Sequence, residues 1–264
     1  MKALRIAIYG ILLAVVAFLL INTYRTTGTV DASTLTKAGL LAAGIVISML
    51  RPARRRTRAS IATYRKAYAD FVSDAFLEDK KLERKFFSAV ADYNRNRPES
   101  ALRKLAALMP ECTGSRERYA VTVFTALCSD DAGLYEDAVR HYDAALRIRP
   151  SSTLYSNMGL CCQRLGKTDM ARDALDHAVA LDSGNAFAWT NLSVLCFREG
   201  DYESALRYSQ EALKRNATMK QALSTAAVCS ALLGCEEDYQ RYYRQAVANG
   251  YDGAKIKQVV ESLK

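Results

Sequence analysis

The feature that most constrains this chain is internal. From residue 152 the sequence aligns with itself at a period of 34, giving units 152–185, 186–219 and 220–253. The fourth place of these units holds Tyr155, Trp189 and Leu223, the fifteenth Gly166, Gly200 and Gly234, and the twenty-seventh Ala178, Ala212 and Ala246. A period of this length means an array of supersecondary units, each too small to bury its own apolar face and stable only against its neighbours. With four prolines and thirteen glycines in 264 residues, and good helix formers dominating, the units are predicted to be helical. Glycine at place 15 ends the first helix of a pair where a left-handed residue is wanted, and alanine at place 27 lets helices approach closely.

The same places carry a known pattern. A large residue stands at 4 (Trp189), Leu and Gly near 7 and 8 (Leu192, Met158, Gly159), a small residue at 20 (Ala171, Ala205), an aromatic near 24 (Tyr243) and alanine at 27. On these residues the chain resembles the tetratricopeptide-repeat (TPR) family. Upstream, residues 119–151 form another unit with Ala138, Tyr142, Ala145 and Pro150 at places 20, 24, 27 and 32, its first helix one residue out of register near SDDAG. Residues 82–115 form a degenerate unit with Ala101 at place 20 and an early Pro110. Ser183, Ala217 and Tyr251 replace the proline of place 32, and Tyr239 the small residue of place 20. The resemblance covers residues 82–253, and residues 254–264, with Ile256, Val259, Val260 and Leu263 on one face, read as a capping helix.

Charge divides the chain sharply. The net charge is +9, but residues 1–66 hold eleven Lys/Arg and one acid, leaving 26 basic and 27 acidic residues in the rest. The excess therefore belongs to the N-terminus, where a membrane surface explains it better than nucleic acid does. Residues 6–24 are uncharged and span roughly 28 Å as a helix, close to the hydrocarbon thickness of a bilayer. A second apolar stretch ends at Leu50 and reaches a spanning length when extended back to residue 34, with Lys37 snorkelling. The first 50 residues thus read as a two-helix transmembrane hairpin. No small-x-small cleavage site follows the first span, which argues against a removed signal peptide. Residues 51–81 read as a basic juxtamembrane segment and linker helix, in which Arg51, Arg54, Arg55, Arg56 and Arg58 are placed to rest on anionic head groups. The positive-inside rule puts both termini in the cytoplasm. Seven cysteines, an odd number in no regular framework, suit a reducing compartment. The expected fold class is all-α, a TPR helix–turn–helix solenoid after a transmembrane hairpin.

No constellation for catalysis, cofactor or metal emerges. Cys161, Cys162, Cys196 and Cys229 fall at places 10 and 11, where a residue packs between helices, and the adjacent pair lacks zinc spacing. Gly166-Lys167-Thr168 lacks the upstream glycine and the strand of a phosphate loop. His141 and His177 are too sparse for a metal site, so the chain reads as a non-enzyme. What the resemblance does imply is a concave groove built from places 2, 5, 9, 12 and 13 of the first helices. Here these include Val123, Leu127, Leu160, Gln163, Arg164, Phe187, Val194, Phe197, Arg198, Gln221, Val228 and Leu232. Such an apolar lining suits an amphipathic helix or apolar peptide, with Arg164 and Arg198 available to a ligand carboxylate. Self-association, or coverage of the groove by residues 59–95, would account for the same lining. Asn157 and Asn191 match part of the carboxylate clamp of chaperone-binding members, but Ser156, Thr190 and Ser224 stand where its lysine is needed. The resulting expectation is a membrane-anchored scaffold that binds a protein or peptide. The alternatives are a repeat module on the outer side of the membrane and a regulatory subunit of a membrane enzyme complex.

Overall fold

Local signals along the chain start and stop each helix. Asp79, Ser151, Asn185 and Asp201 accept hydrogen bonds from the first free amides of the helices that follow them, satisfying donors that have no partner within a helix. Glu117 reaches back to the amides of Thr113 and Gly114, at 3.1 Å each. A computed structural model describes residues 63–72, 75–76 and 79–263. The chain divides into units Met1–Ala67 and Tyr68–Lys264, and the architecture below is that of the second.

A single turn, α1 (Ala69–Val72), comes first. Helices then follow in pairs: α2 (Lys80–Tyr93) with α3 (Pro98–Leu108), α4 (Ser115–Asp131) with α5 (Tyr135–Ile148), α6 (Ser152–Arg164) with α7 (Thr168–Leu181), α8 (Ala186–Glu199) with α9 (Tyr202–Arg215), and α10 (Lys220–Leu232) with α11 (Glu236–Ala248). The last helix is α12 (Gly253–Leu263). The helices of a pair pack on each other, and each second helix packs on the first helix of the next pair. This is an all-α TPR-type solenoid.

One backbone device recurs at every turn within a pair. Asn96, Gly133, Gly166, Gly200 and Gly234 have φ between 57° and 82°. The amide after each (Arg97, Leu134, Lys167, Asp201 and Cys235) returns to the carbonyl five residues earlier, the bond that closes a helix through a left-handed residue. The unit beginning at residue 119 is thus in register at SDDAG, because Gly133 stands at place 15. Its missing residue lies instead in the loop 149–151, which has three residues where 182–185 has four. The degenerate first unit keeps the device by using asparagine, the non-glycine residue best suited to it.

Small residues set the helix spacing. Ala89, Ala126, Ser193 and Ala227 at place 8 are fully buried, as are Ala101, Ala138, Ala171 and Ala205 at place 20. Gly159 is the limiting case, since a Cβ there would lie 2.7 Å from Cγ of Leu175. In the unit 186–219 a serine replaces the aromatic of place 24, and the gap is closed by polar contact: Ser193 Oγ lies 2.6 Å from Ser209 Oγ and donates to Ala205 O at 3.0 Å. Tyr239 breaks the rule of place 20. It lies in the last pair, half-buried beside Tyr243 with ring centroids 5.8 Å apart, where α12 rather than another full pair follows.

Candidate functional site

The first helices form a common face, and the chain covers both ends of it. At the start, Tyr68 sets its ring edge-on to Phe124 at 4.8 Å and donates from its hydroxyl to Asn94 Oδ1 at 3.1 Å. Phe71 packs against the cluster containing Tyr119 and Val123. Phe76 lies 4.7 Å from Phe86, and Val72, Ala75 and Phe76 are buried. Tyr68, Phe71 and Phe76 therefore lie on α2 and α4. At the other end, Ile256 and Val260 of α12 are buried in one cluster with Leu223, Ala227 and Val228.

Burial corrects part of the expected groove. Val123 and Val228 are core residues at 0% and 5% exposure and present nothing to a ligand. Gln163 is buried too, donating to the Asn191 carbonyl at 2.9 Å. Phe197 is half-buried, packed against the cluster of Cys196, Ala205 and Cys229 and with its ring 5.7 Å from that of Tyr202, and Leu232 packs against the terminal cluster. Leu127, Leu160 and Val194 are half-buried along the face, while Arg164, Phe187, Arg198 and Gln221 are exposed. Phe187 is 67% exposed, the highest value among the exposed large hydrophobics of the described residues. The accessible section of the face thus lies over α6 and α8. A cleft of about 380 Å³ is lined by Phe71, Tyr119, Arg149, Thr153 and Leu181 among others. Leu181 belongs to a second helix and is absent from the pattern of first-helix places, so that pattern missed it.

The two arginines of place 13 differ. Arg164 lies 3.1 Å from Asp130 of the preceding unit and 5.0 Å over the Tyr135 ring. Burial pushes the Asp130 carboxyl above its usual range, against the pull of Arg164. Arg164 is thus engaged within the repeat array, whereas Arg198 has no ion pair among the described residues. Asn191, part of the incomplete clamp pattern, gives its side-chain amide to Ser156 Oγ at 3.2 Å.

Cysteines at places 10 and 11 are buried, as are Cys112 and Cys128, and all seven are free thiols, of which Cys235 is exposed. Burial pushes Cys128 and Cys229 up to about 12 and raises Cys161, Cys162 and Cys196 as well. Inert thiols of this kind act as small hydrophobes. His177 stacks on Tyr155 at 5.2 Å. Among the described residues no group of three or more His, Cys, Asp or Glu is placed to hold a metal ion.

The spans expected at 6–24 and 34–50, and the arginines from Arg51 to Arg58, lie outside the described residues. Among the described residues no helix is long and apolar enough to cross a membrane.

Residues 150–218, the two units under the open section, match the tetratricopeptide repeat family. The repeat domain has the fold of a TPR solenoid. Over 77 residues the chain is 35% identical to cilia- and flagella-associated protein 70 of Homo sapiens, covering 28% of this chain and 7% of that protein. Over 80 residues it is 28% identical to the TPR repeat-containing protein MJ1428 of Methanocaldococcus jannaschii, covering 30% and 14%. The chain therefore spans only a small part of these relatives. Among solved structures, MamA superposes with a TM-score of 0.55 at 16% identity, covering 61% of this chain and 93% of that one. YrrB, described as a TPR protein with an unusual peptide-binding site, superposes with a TM-score of 0.53 at 19% identity, covering 71% and 97%. At these identities the likeness shows the fold.

Proposed function

We propose that this chain is a non-catalytic, membrane-anchored TPR scaffold or adaptor that holds a protein or peptide on the open section of its first-helix face. The observation that carries the reading is Phe187, a large aromatic exposed on a face whose two ends the chain has itself covered. A solvated side chain of this size is a liability unless something uses it, and aromatic anchors dominate many binding surfaces. The peptide-binding site reported for YrrB supports the same reading. Anchoring is assigned to residues 1–50 as two spans with both termini cytoplasmic, and Arg51, Arg54, Arg55, Arg56 and Arg58 rest on anionic head groups.

The test is crosslinking capture from native membranes with wild type and Phe187→Asp side by side. Phe187 is exposed, so the substitution leaves the packing intact, as Phe197→Asp would not. A partner captured by wild type and lost with Phe187→Asp supports the reading; the same proteins captured by both overturn it. Exposed Cys235 reports topology. A membrane-impermeant maleimide should label it only after permeabilisation, and labelling in intact cells would put the repeats outside.

A further inference from the structure

We infer that the edge of the solenoid carrying the loops between pairs docks on an anionic lipid surface, with Arg147, Lys214 and Lys220 against the head groups and Ile148 and Leu181 at the interface. This rests on the anchoring of residues 1–50 proposed above. It concerns loops and helix ends rather than the first-helix face.

Stacked antiparallel pairs send every turn within a pair to one edge and every loop between pairs to the other. Contacts between units follow that division. At the loop edge Asn185 donates to Ser152 Oγ at 2.8 Å, Arg215 donates to the Ser183 carbonyl, and a Cβ at Gly250 would lie 3.4 Å from Lys220 Nζ. At the turn edge Arg164 meets Asp130 and Arg172 meets Glu199. The two edges differ in charge. Residues 145–155, 178–189 and 212–223, at the loop edge, hold five Lys/Arg and one acid, Asp182, which accepts from the Gly184 amide. Residues 128–138, 161–171, 196–205 and 229–239, at the turn edge, hold three Lys/Arg and eleven acids. Helix dipoles explain only part of this. Acids open α5, α7, α9 and α11 at the turn edge, as the dipole favours. By the same rule α6, α8 and α10 should open with acids at the loop edge, and none of the three does.

Two further observations select lipid. Ile148 and Leu181 end α5 and α7 at this edge and are exposed, and aliphatics set among cations suit the head-group region, whereas binding to a nucleic-acid backbone has no use for them. The chain also arrives here. Phe71 and Ala75 line a cleft with Arg116, Ile148 and Arg149, and Phe71 lines the cleft that Leu181 shares. Twenty-one residues lead from Leu50, where the second expected span ends, to Phe71, a tether of at most about 70 Å. Such a tether raises the effective concentration of lipid at the edge it enters, so a surface too weak to bind a membrane unaided can dock. Arg147 and Lys214 pair with Asp143 and Glu211 of their own helices, exposed contacts too weak to withhold them.

The experiment uses the full-length chain reconstituted into phosphatidylcholine vesicles with about 30% phosphatidylserine and nitroxide-labelled lipid, which quenches fluorophores at the membrane. Cys235, exposed at the turn edge, carries the fluorophore in one sample. In the other, Cys235→Ser with Leu181→Cys moves it to the loop edge. Quenching should be strong at position 181 and slight at 235, and that at 181 should fall in vesicles of phosphatidylcholine alone. Arg147→Gln, Lys214→Gln and Lys220→Gln together should lower the ratio of docked to free edge on the order of 10²-fold, about fivefold per cation, and remove the difference between the positions. Equal quenching at 181 and 235, equal quenching at 181 in neutral vesicles, or quenching that survives the triple substitution overturns the inference. So does an unquenched probe at 181, and a photocrosslinker there that captures a protein from native membranes would assign the edge to that protein instead. Extraction with alkaline carbonate separates the two readings. A chain that stays in the vesicles with 181 unquenched keeps the anchor and ends this inference, whereas a chain released by carbonate ends both.

Discussion

Replacing Phe76 with alanine tests whether the segment 68–76 is a separable cover or an integral part of the solenoid. The ring of Phe76 is 4% exposed and lies 4.7 Å from Phe86, which in turn sits 5.1 Å from Phe124 and 5.3 Å from Phe87. Truncating a buried phenylalanine to alanine costs roughly 3–5 kcal/mol. What that loss does depends on how the segment is held. Within it Phe71 and Val72 donate to the Tyr68 carbonyl and Ala75 to that of Val72, and the turn Ala69–Val72 is only four residues long. The segment is therefore expected to open locally rather than take the repeats with it. Spread over the docking equilibrium alone, the loss is a factor of about 10²–10⁴. Hydrogen exchange read by mass spectrometry should show faster exchange at Phe71, Val72 and Ala75, while α6 to α9 keep their protection. Equal loss of protection in α6 to α9 would mean that the cover belongs to the global cooperative unit. Unchanged exchange in the segment would mean that the aromatic contact does not hold it. Either result refutes the reasoning.

Three other outcomes follow from particular groups. Gly200 has φ 82° with nothing within 4 Å of an added Cβ, so Gly200→Ala should cost only backbone strain, roughly 1–2 kcal/mol in a urea titration, and Gly200→Asn less, as Asn96 already fills the matching place. Lys104, then Ser100, hold the Asp92 carboxyl below its usual value of 3.8 against the opposing effect of burial. A depressed native value stabilises the fold above the unfolded value and is lost as pH falls through the native one. The urea midpoint should therefore drop below about pH 4 in wild type and do so less steeply in Asp92→Asn. Maleimide at neutral pH should label one thiol of the native protein rapidly, Cys235, and all seven after denaturation; two or more rapid sites would contradict the burial that raises Cys128 and Cys229 to about 12.

Read alone, the sequence determined the fold class and the register of its best units. A helix pair is a local object: the glycine that closes its turn, the small residues at places 8 and 20 and the alanine at 27 act within some twenty residues, and their recurrence announces the array. The packing role of the cysteines was legible for the same reason, since they recur at places 10 and 11. Two local details were not. Asn96 fills the left-handed place of the degenerate unit without the glycine that would have flagged it, and the shortened loop 149–151 looked like a slip in the preceding helix. The candidate site was legible only in part. First-helix places identified Leu160, Phe187, Val194 and Arg198, but membership of a face says nothing about what covers it. Val123 and Val228 share the first-helix pattern with Leu160 and Val194 but not their exposure: Val123 stands at place 5, buried in each unit as at Ser156 and Thr190, and Ile256 joins the cluster of Val228. The match of Arg164 to Asp130 across 34 residues, and the lack of one for Arg198, likewise arise where successive units meet. Periodicity reports which side a residue faces. Only the tertiary structure decides what stands opposite, because burial and ion pairing depend on distances between segments that the local pattern does not encode.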